Sequence, residues 1–245
     1  MKDNPTSIST NEFRRLYCND GLSFTGMSKK LGIPRITIYD RFVRDEIPRR
    51  SWGGTAREFI SEPSEALGYV LGAMKGDGTA TKYGRSHKIV LSVRDFAFAE
   101  SFKNALPKIG LHPSFWYREK QGLWVVSSNH KKFYYWYKDL SIDRIADLLV
   151  ERRNAVGFIR GFYEAEGCLY KRKGKWYSLQ MSNTERSLLE LVKCLLLKLN
   201  FDFKWRSVTK PLRRKIYILE LHRQNQVMRF LDEISPCIKN ISRED

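Results

Sequence analysis

Apolar and polar positions change their period several times along the chain, and the order of these changes occurs twice. From residue 64 onward, a helix-like spacing is followed by two stretches of alternating polarity, a second helix, two more alternating stretches and further helical spacing. The same order returns from residue 154. We interpret it as an internal duplication. The prediction is an α+β fold, a duplicated αββαββα arrangement with pseudo-two-fold symmetry, in which each half forms an antiparallel sheet with helices on one face.

The charge balance favours a polyanionic partner. The 245 residues include 44 Lys and Arg against 27 Asp and Glu, which gives a formal net charge of +17 at pH 7. A surplus of this size is typical of proteins that bind nucleic acid. The four cysteines lack the spacing of a metal site, and no apolar run approaches the length of a membrane span. We therefore expect a cytoplasmic, nucleoid-associated protein with reduced thiols and no membrane partner.

Residues 1–50 are predicted to form a separate small all-α domain. Helical spacing covers three stretches, residues 11–18, 27–31 and 34–43. Gly32 provides the second turn and Pro34 opens the third helix. This order indicates a helix-turn-helix, whose third helix would present four outward side chains to DNA: Arg35, Thr37, Tyr39 and Arg41. The alternative is a three-helix bundle used for packing or dimerisation.

A basic linker is predicted between this domain and the duplicated part. It covers residues 51–63, and Arg49 and Arg50 immediately before it are expected to contact phosphates. The two predicted halves then follow as residues 64–152 and 153–245.

The alternating stretches place polar side chains on one face of each predicted sheet. Residues 87–94, 176–182 and 203–206 each alternate apolar side chains with polar or basic ones. A two-stranded ribbon fits the major groove of DNA, so two sheets could read two half-sites; a solvated sheet face is the alternative. The strand residues expected to contact DNA are Lys82, Lys88, Ser92, Arg94, Ser178, Gln180, Ser182, Lys204 and Arg206, and those in basic hairpin tips are Lys173, Lys175, Arg213 and Arg214.

Two stretches carry small residues at every fourth position and end in an acid followed by glycine. Residues 67–78 read LGYVLGAMKGDG and residues 156–167 read VGFIRGFYEAEG. Residues four apart share a helix face, and a glycine inside a helix costs roughly 1 kcal/mol relative to alanine. We therefore expect the two helices to pack closely and to bring Asp77 and Glu166 together. Adjacent carboxylates at helix C-termini repel each other and favour a hard divalent cation. The alternative is a tight helix pair whose acids are merely exposed.

These motifs resemble those of the LAGLIDADG homing endonucleases in their single-chain form. Residues 70–78 (VLGAMKGDG) and 159–167 (IRGFYEAEG) are similar to the two nine-residue motifs of that family. Asp in the first motif and Glu in the second are most similar to the archaeal monomeric members. The resemblance covers the chain from about residue 64 to its end. It implies a monomer that binds double-stranded DNA and cuts both strands at a long pseudo-symmetric site.

The resemblance also implies metal-dependent hydrolysis. Asp77 and Glu166 would hold Mg²⁺, with Mn²⁺ as a substitute, and the backbone carbonyls of Gly76 and Ala165 would be further ligands. The metals would activate a water molecule and stabilise the leaving 3′ oxygen, with one acid serving each strand.

The chain departs from the family pattern beside the acids. Members usually place Lys or Gln there, but the corresponding position after the second motif is Leu169. Arg94 and Lys171 are therefore the candidates for this catalytic role, and Lys82 and Lys88 are further possibilities.

Two other functions stay open at this point. A DNA-binding transcriptional regulator built on a catalytically retired LAGLIDADG fold is favoured by the helix-turn-helix and opposed by the presence of both acids. An intron maturase that binds RNA rests only on the family's range. The sequence contains no HExxH zinc motif and no GxxxxGK[ST] phosphate loop. It leaves open whether the gene is freestanding or intron-encoded.

Overall fold

The computed structural model describes residues 8–20, 22–47, 58–172, 176–209 and 215–240. The chain divides into two compact units, residues 1–56 and residues 57–245. All four cysteines are free thiols, and three of them are exposed rather than buried in a core. Among the helices of the described ranges, none combines the length and the apolar character that crossing a membrane would require.

In residues 8–20 and 22–47, the first unit forms three short helices around an aromatic core. α1 (Thr10–Arg14) continues as a π-helical turn, and α2 (Phe24–Leu31) and α3 (Arg35–Arg44) follow. Gly32 ends α2 with a φ of 66°, a left-handed conformation that glycine adopts without strain. The core is formed by Phe13, Leu16, Tyr17, Met27, Ile33, Ile38, Phe42 and Ile47.

The second unit has the duplicated order predicted from the periodicity. The first half contains α4 (Glu65–Gly76), β1 (Gly78–Tyr83), β2 (Ser86–Val93), α5 (Phe96–Ala105), β3 (Pro113–Arg118), β4 (Leu123–Asn129), α6 (Lys131–Lys138) and α7 (Ile142–Leu148). The second half contains α8 (Arg152–Glu166), β5 (Gly167–Lys171), β6 (Tyr177–Asn183), α9 (Arg186–Lys198), β7 (Lys204–Val208), β8 (Ile216–Leu221) and α10 (Gln224–Ile234).

Each half contributes one four-stranded antiparallel sheet. The strand orders, β1-β2-β4-β3 and β5-β6-β8-β7, are the same topology used twice. Alternate residues of β2 are buried, namely Ile89, Leu91 and Val93, and β6 repeats this with Leu179 and Met181. One hydrophobic core includes these faces and the helices that cover them. The predicted fold class is therefore confirmed.

The two motif helices, α4 and α8, pack backbone against backbone. A Cβ atom on Gly72 would lie 2.8 Å from the Phe162 amide nitrogen and closer still to the Phe158 carbonyl oxygen. Gly161 faces α4 in the same way, because a Cβ atom there would lie 2.8 Å from the Ala73 amide nitrogen. Such distances are shorter than real Cβ contacts allow, so only glycine fits. The close packing expected from the repeated small residues is confirmed.

Candidate active site

The two motif acids meet where the paired helices end. Asp77 is the C-cap of α4, and Glu166 is the last residue of α8. A Cβ atom on Gly76 would lie 3.1 Å from Glu166 Cγ, so the two helix ends are in contact. The first strand of each sheet begins at the residue after its acid. The helix pair thus joins one acid from each half at a single centre.

Burial and repulsion make this pair unfavourable as two free carboxylates. Burial raises the pKa of Asp77. Burial, followed by the negative charge of Asp77, raises the pKa of Glu166. The Asn183 side-chain amide donates to Glu166 Oε1 at 3.0 Å, and Lys239 lowers both pKa values, but these contacts do not offset the burial. The centre therefore retains an affinity for further positive charge.

Lys239 supplies positive charge to both acids. Its Nζ atom donates to the carbonyl oxygens of Glu164 at 2.6 Å and of Ala165 at 3.0 Å. Burial lowers the pKa of Lys239, and the negative charges of Asp77 and Glu166 oppose that shift. Sequence reasoning missed this lysine because it follows the last helix, in a segment with no periodicity and no fixed spacing from either motif.

The donor chemistry of the centre fits a hard divalent cation such as Mg²⁺. Asp77 and Glu166 offer carboxylate oxygens whose charge is incompletely compensated. Within the described parts of the chain, no cluster of three or more His, Cys, Asp and Glu side chains could hold a metal ion. Mg²⁺ commonly binds one or two carboxylates and completes its shell with water and substrate phosphates. The carbonyls of Gly76 and Ala165 adjoin the acids, although Lys239 contacts the latter.

Removing one acid should stabilise the ion-free protein. Burial raises the pKa of Asp77, so the folded protein favours the protonated carboxyl. The stability that this protonated form contributes is fully present below the unfolded pKa and is lost as the pH rises through the folded pKa. We expect Asp77→Asn to raise the free energy of unfolding by about 1 kcal/mol at pH 7, after allowance for solvent screening, and by less near pH 4. Urea unfolding with a chelator at several pH values measures this difference. Asp232→Asn, which changes an exposed acid on α10, is the control; an equal gain there would contradict the prediction.

The outer faces of the two sheets, opposite the helices, carry polar residues predicted from the alternation. Those that are exposed or half-buried there are Lys88, Ser92, Gln180, Ser182, Lys204 and Arg206. Arg206 donates to Glu220 Oε1 at 2.6 Å and holds the Glu220 pKa below its usual range. Ser178 is on the same face but is buried, and it accepts a hydrogen bond from Arg172 Nε at 2.9 Å.

Three other residues predicted to act at the sheets, Lys82, Lys171 and Arg94, do not lie on the outer faces of the strands. Lys82 is paired with the buried residue His87, which places it on the helix-facing side of the first sheet, with Nζ 5.9 Å from the Tyr135 ring centre. Lys171 is exposed at the end of β5, on the face opposite the outer face of that sheet. Arg94 is exposed directly after β2.

The third helix of the first unit presents three of its four predicted side chains to solvent. Arg35, Thr37 and Tyr39 are exposed. The outward orientation expected for Arg41 is wrong. Its guanidinium lies over the Phe13 ring and pairs with Asp45 at 3.3 Å, and its side chain is only 12% exposed. This side chain stabilises the unit instead of extending from it.

The remaining predicted contacts lie outside the described residues. They are Arg49, Arg50, Lys173, Lys175, Arg213 and Arg214.

A family model and two relatives match parts or most of the chain. A family model described as a LAGLIDADG-like domain matches residues 153–235. The uncharacterized protein MJ0314 of Methanocaldococcus jannaschii is 33% identical over 149 residues, 58% of this chain and 57% of that protein. The uncharacterized protein MJ0398 of the same organism is 30% identical over 236 residues, 89% of this chain and 84% of that protein. The chain thus spans little more than half the length of the first relative.

Solved structures share the fold. Mesophilic variants of the homing endonuclease I-DmoI match with a TM-score of 0.52 and 22% identity, over 69% of this chain and 94% of that one. I-DmoI in complex with DNA and Mn matches with a TM-score of 0.52 and 21% identity, over 71% and 97%. The N-terminal LAGLIDADG domain of DUF199/WhiA matches with a TM-score of 0.54 and 17% identity, over 81% and 96%. With the sequence matches and the two motifs, these findings show that the chain belongs to the LAGLIDADG family.

Proposed function

We propose that the protein is a sequence-specific endonuclease that makes a double-strand break in DNA. The observation that carries this proposal is the meeting of Asp77 and Glu166 at the junction of two matching halves. The two carboxylates would hold Mg²⁺, with Mn²⁺ as a substitute, which when bound supplies a Lewis acid and an activated water molecule. Because both acids and both sheets come from one chain, the protein would act as a monomer, in the cytoplasm at the nucleoid.

Duplex binding is assigned to the outer sheet faces. Lys88 and Lys204 are exposed there and would contact phosphates, whereas Ser92, Gln180 and Ser182 would contact base edges. The two sheets have the same topology and would take up the two half-sites of a pseudo-symmetric target. The net charge of +17 supports a polyanionic partner.

The first unit would provide a further DNA contact. A turn of three residues, 32–34, joins α2 to α3, which is the spacing of a helix-turn-helix. Arg35, Thr37 and Tyr39 are exposed on α3 and would face the duplex.

The test is cleavage of a supercoiled plasmid library that carries randomised duplex inserts. In the presence of Mg²⁺ or Mn²⁺ we expect linear product from a subset of inserts, and a chelator should abolish it. Sequencing of the new ends identifies the target. Tight, salt-sensitive binding without linear product in either metal would contradict the nuclease.

A second candidate is a DNA-binding regulator that does not cut. The observation in its favour is the Lys239 ammonium, which contributes positive charge to both acids without a metal ion. The same library separates the two functions, because a regulator would retain specific inserts and leave them intact.

A further inference from the structure

The residues after α10 fold back onto the last turn of α8. The Cys237 amide donates to Glu164 Oε1 at 2.8 Å, and the Tyr163 hydroxyl donates to the Lys239 carbonyl at 3.0 Å. Lys239 has a φ of 57°, in the left-handed region that residues other than glycine seldom occupy. These contacts fix the tail segment, residues 235–240, beside the acid centre.

The Lys239 ammonium uses all of its donors on the end of α8. Its Nζ atom donates to the carbonyl oxygens of Glu164 at 2.6 Å, Ala165 at 3.0 Å and Tyr163 at 3.5 Å. A lysine ammonium has three N–H donors, and the last carbonyls of a helix lack the backbone donors of a further turn. The Tyr163 carbonyl also accepts from the Gly167 amide. Lys239 therefore caps α8. While the tail segment is docked, no donor remains for a water molecule or a phosphate, so this lysine does not replace the Lys or Gln that the family places beside the acids.

The position of the ammonium conflicts with that of a divalent cation. Ala165 offers the carbonyl oxygen next to Glu166, and Lys239 already occupies it. The ammonium also lies close enough to Asp77 and Glu166 to lower both pKa values. A divalent cation at the same acids would meet a like charge held in place by the tail segment.

We propose that Lys239 is an internal counter-ion that competes with the divalent cation for the acid centre. The inference rests on the proposed function, because it requires the acid pair to bind a divalent cation. Docking of the tail segment keeps the two acids together without a metal. Binding of the cation displaces the ammonium from the Ala165 carbonyl and releases the tail segment from α8.

The test measures Mn²⁺ binding to the full chain without DNA, by titration calorimetry and by the electron paramagnetic resonance signal of free Mn²⁺. Lys239→Met removes the charge and keeps the length of the side chain, and Lys239→Gln is a second variant that can still donate to one carbonyl. We expect both to bind Mn²⁺ about tenfold more tightly than the wild type, as expected when a competing like charge is removed. Lys198→Met, which changes an exposed lysine on α9, should leave the affinity unchanged.

A second readout is thermal stability with and without Mn²⁺. Without it, Lys239→Met should melt at a lower temperature than the wild type, because the Glu164 and Ala165 carbonyls lose the ammonium as a donor and both acids lose a nearby positive charge. With saturating Mn²⁺ the difference in melting temperature between the variant and the wild type should narrow or reverse, because the variant binds the ion more tightly and is stabilised more by it. Equal or weaker Mn²⁺ binding by both variants would overturn the proposal, and so would the absence of Mn²⁺ binding by every protein in the series.

Failure of the nuclease proposal gives a different pattern. If both variants bind Mn²⁺ more tightly but no protein cuts any insert, the counter-ion role of Lys239 is supported and the nuclease activity is contradicted. If the wild type cuts DNA but the variants bind Mn²⁺ with the wild-type affinity, the nuclease activity is supported and the counter-ion role of Lys239 is contradicted.

Discussion

Replacing Gly72 with alanine is expected to destabilise the second unit by about 3 kcal/mol or more, at the upper end of the cost of overpacking a core. The new Cβ atom would lie 2.8 Å from the Phe162 amide nitrogen and closer to the Phe158 carbonyl oxygen. Both neighbours are backbone atoms of α8, so no change of side-chain rotamer can relieve the clash. The helices must separate, and the core that includes both of them must open with them. Gly161→Ala should cost a similar amount, because it meets the α4 backbone in the same way.

Urea unfolding followed by tryptophan fluorescence measures this loss, because residue 52 is the only one of the six tryptophans within residues 1–56. Gly26→Ala is the matched control. A Cβ atom there would meet side chains at 3.5 Å, which is ordinary contact, so alanine should leave the second unit unchanged and stabilise α2 by up to about 1 kcal/mol. A loss below about 1 kcal/mol for Gly72→Ala would contradict the backbone contact between α4 and α8.

The order of the elements was predictable because burial in this fold follows local periods. Alternation along β2 and β6 identified which face is buried, and the small residues of α4 and α8 identified a contact that requires the absence of a Cβ atom. From these, the meeting of Asp77 and Glu166 followed without further information. The contact between α4 and α8 could be predicted because it requires small residues at every fourth position, and the sequence shows this spacing.

Lys239 and Arg41 show where this reasoning ends. Lys239 reaches the acid centre because the chain turns at Ser235, with a left-handed φ of 48°, and folds back over α8, a path that no sequence period describes. Arg41 lies on the outward side of α3 by its spacing, but Asp45 one helical turn away and the Phe13 ring hold it against the unit. Helical spacing determines the direction of the Cα–Cβ bond, whereas the position of the charged group of a long side chain depends on the tertiary contacts that it makes.

Replacing Glu166 with glutamine is expected to reduce the rate of linear-product formation about a thousandfold or more, which corresponds to about 4 kcal/mol of lost transition-state stabilisation. The substitution is mild for the fold. Glutamine keeps the oxygen that accepts the Asn183 amide at 3.0 Å, and it removes a carboxylate whose pKa is raised by burial and by Asp77. The variant should therefore fold at least as stably as the wild type.

Binding and cutting should separate in this variant. Because Asp77 remains, residual activity should appear as nicked circles with one strand cut, and duplex affinity without metal should be equal to or tighter than that of the wild type, since one negative charge near the phosphates is gone. Glu190→Gln removes an exposed carboxylate that pairs with Arg186 on α9 and should leave cutting unchanged. Wild-type rates of linear product from Glu166→Gln would show that the carboxylate does not act in the reaction. Loss of both binding and cutting would show instead that Glu166 serves the interface, because a metal-holding carboxylate is needed for the chemical step and not for capture of the duplex.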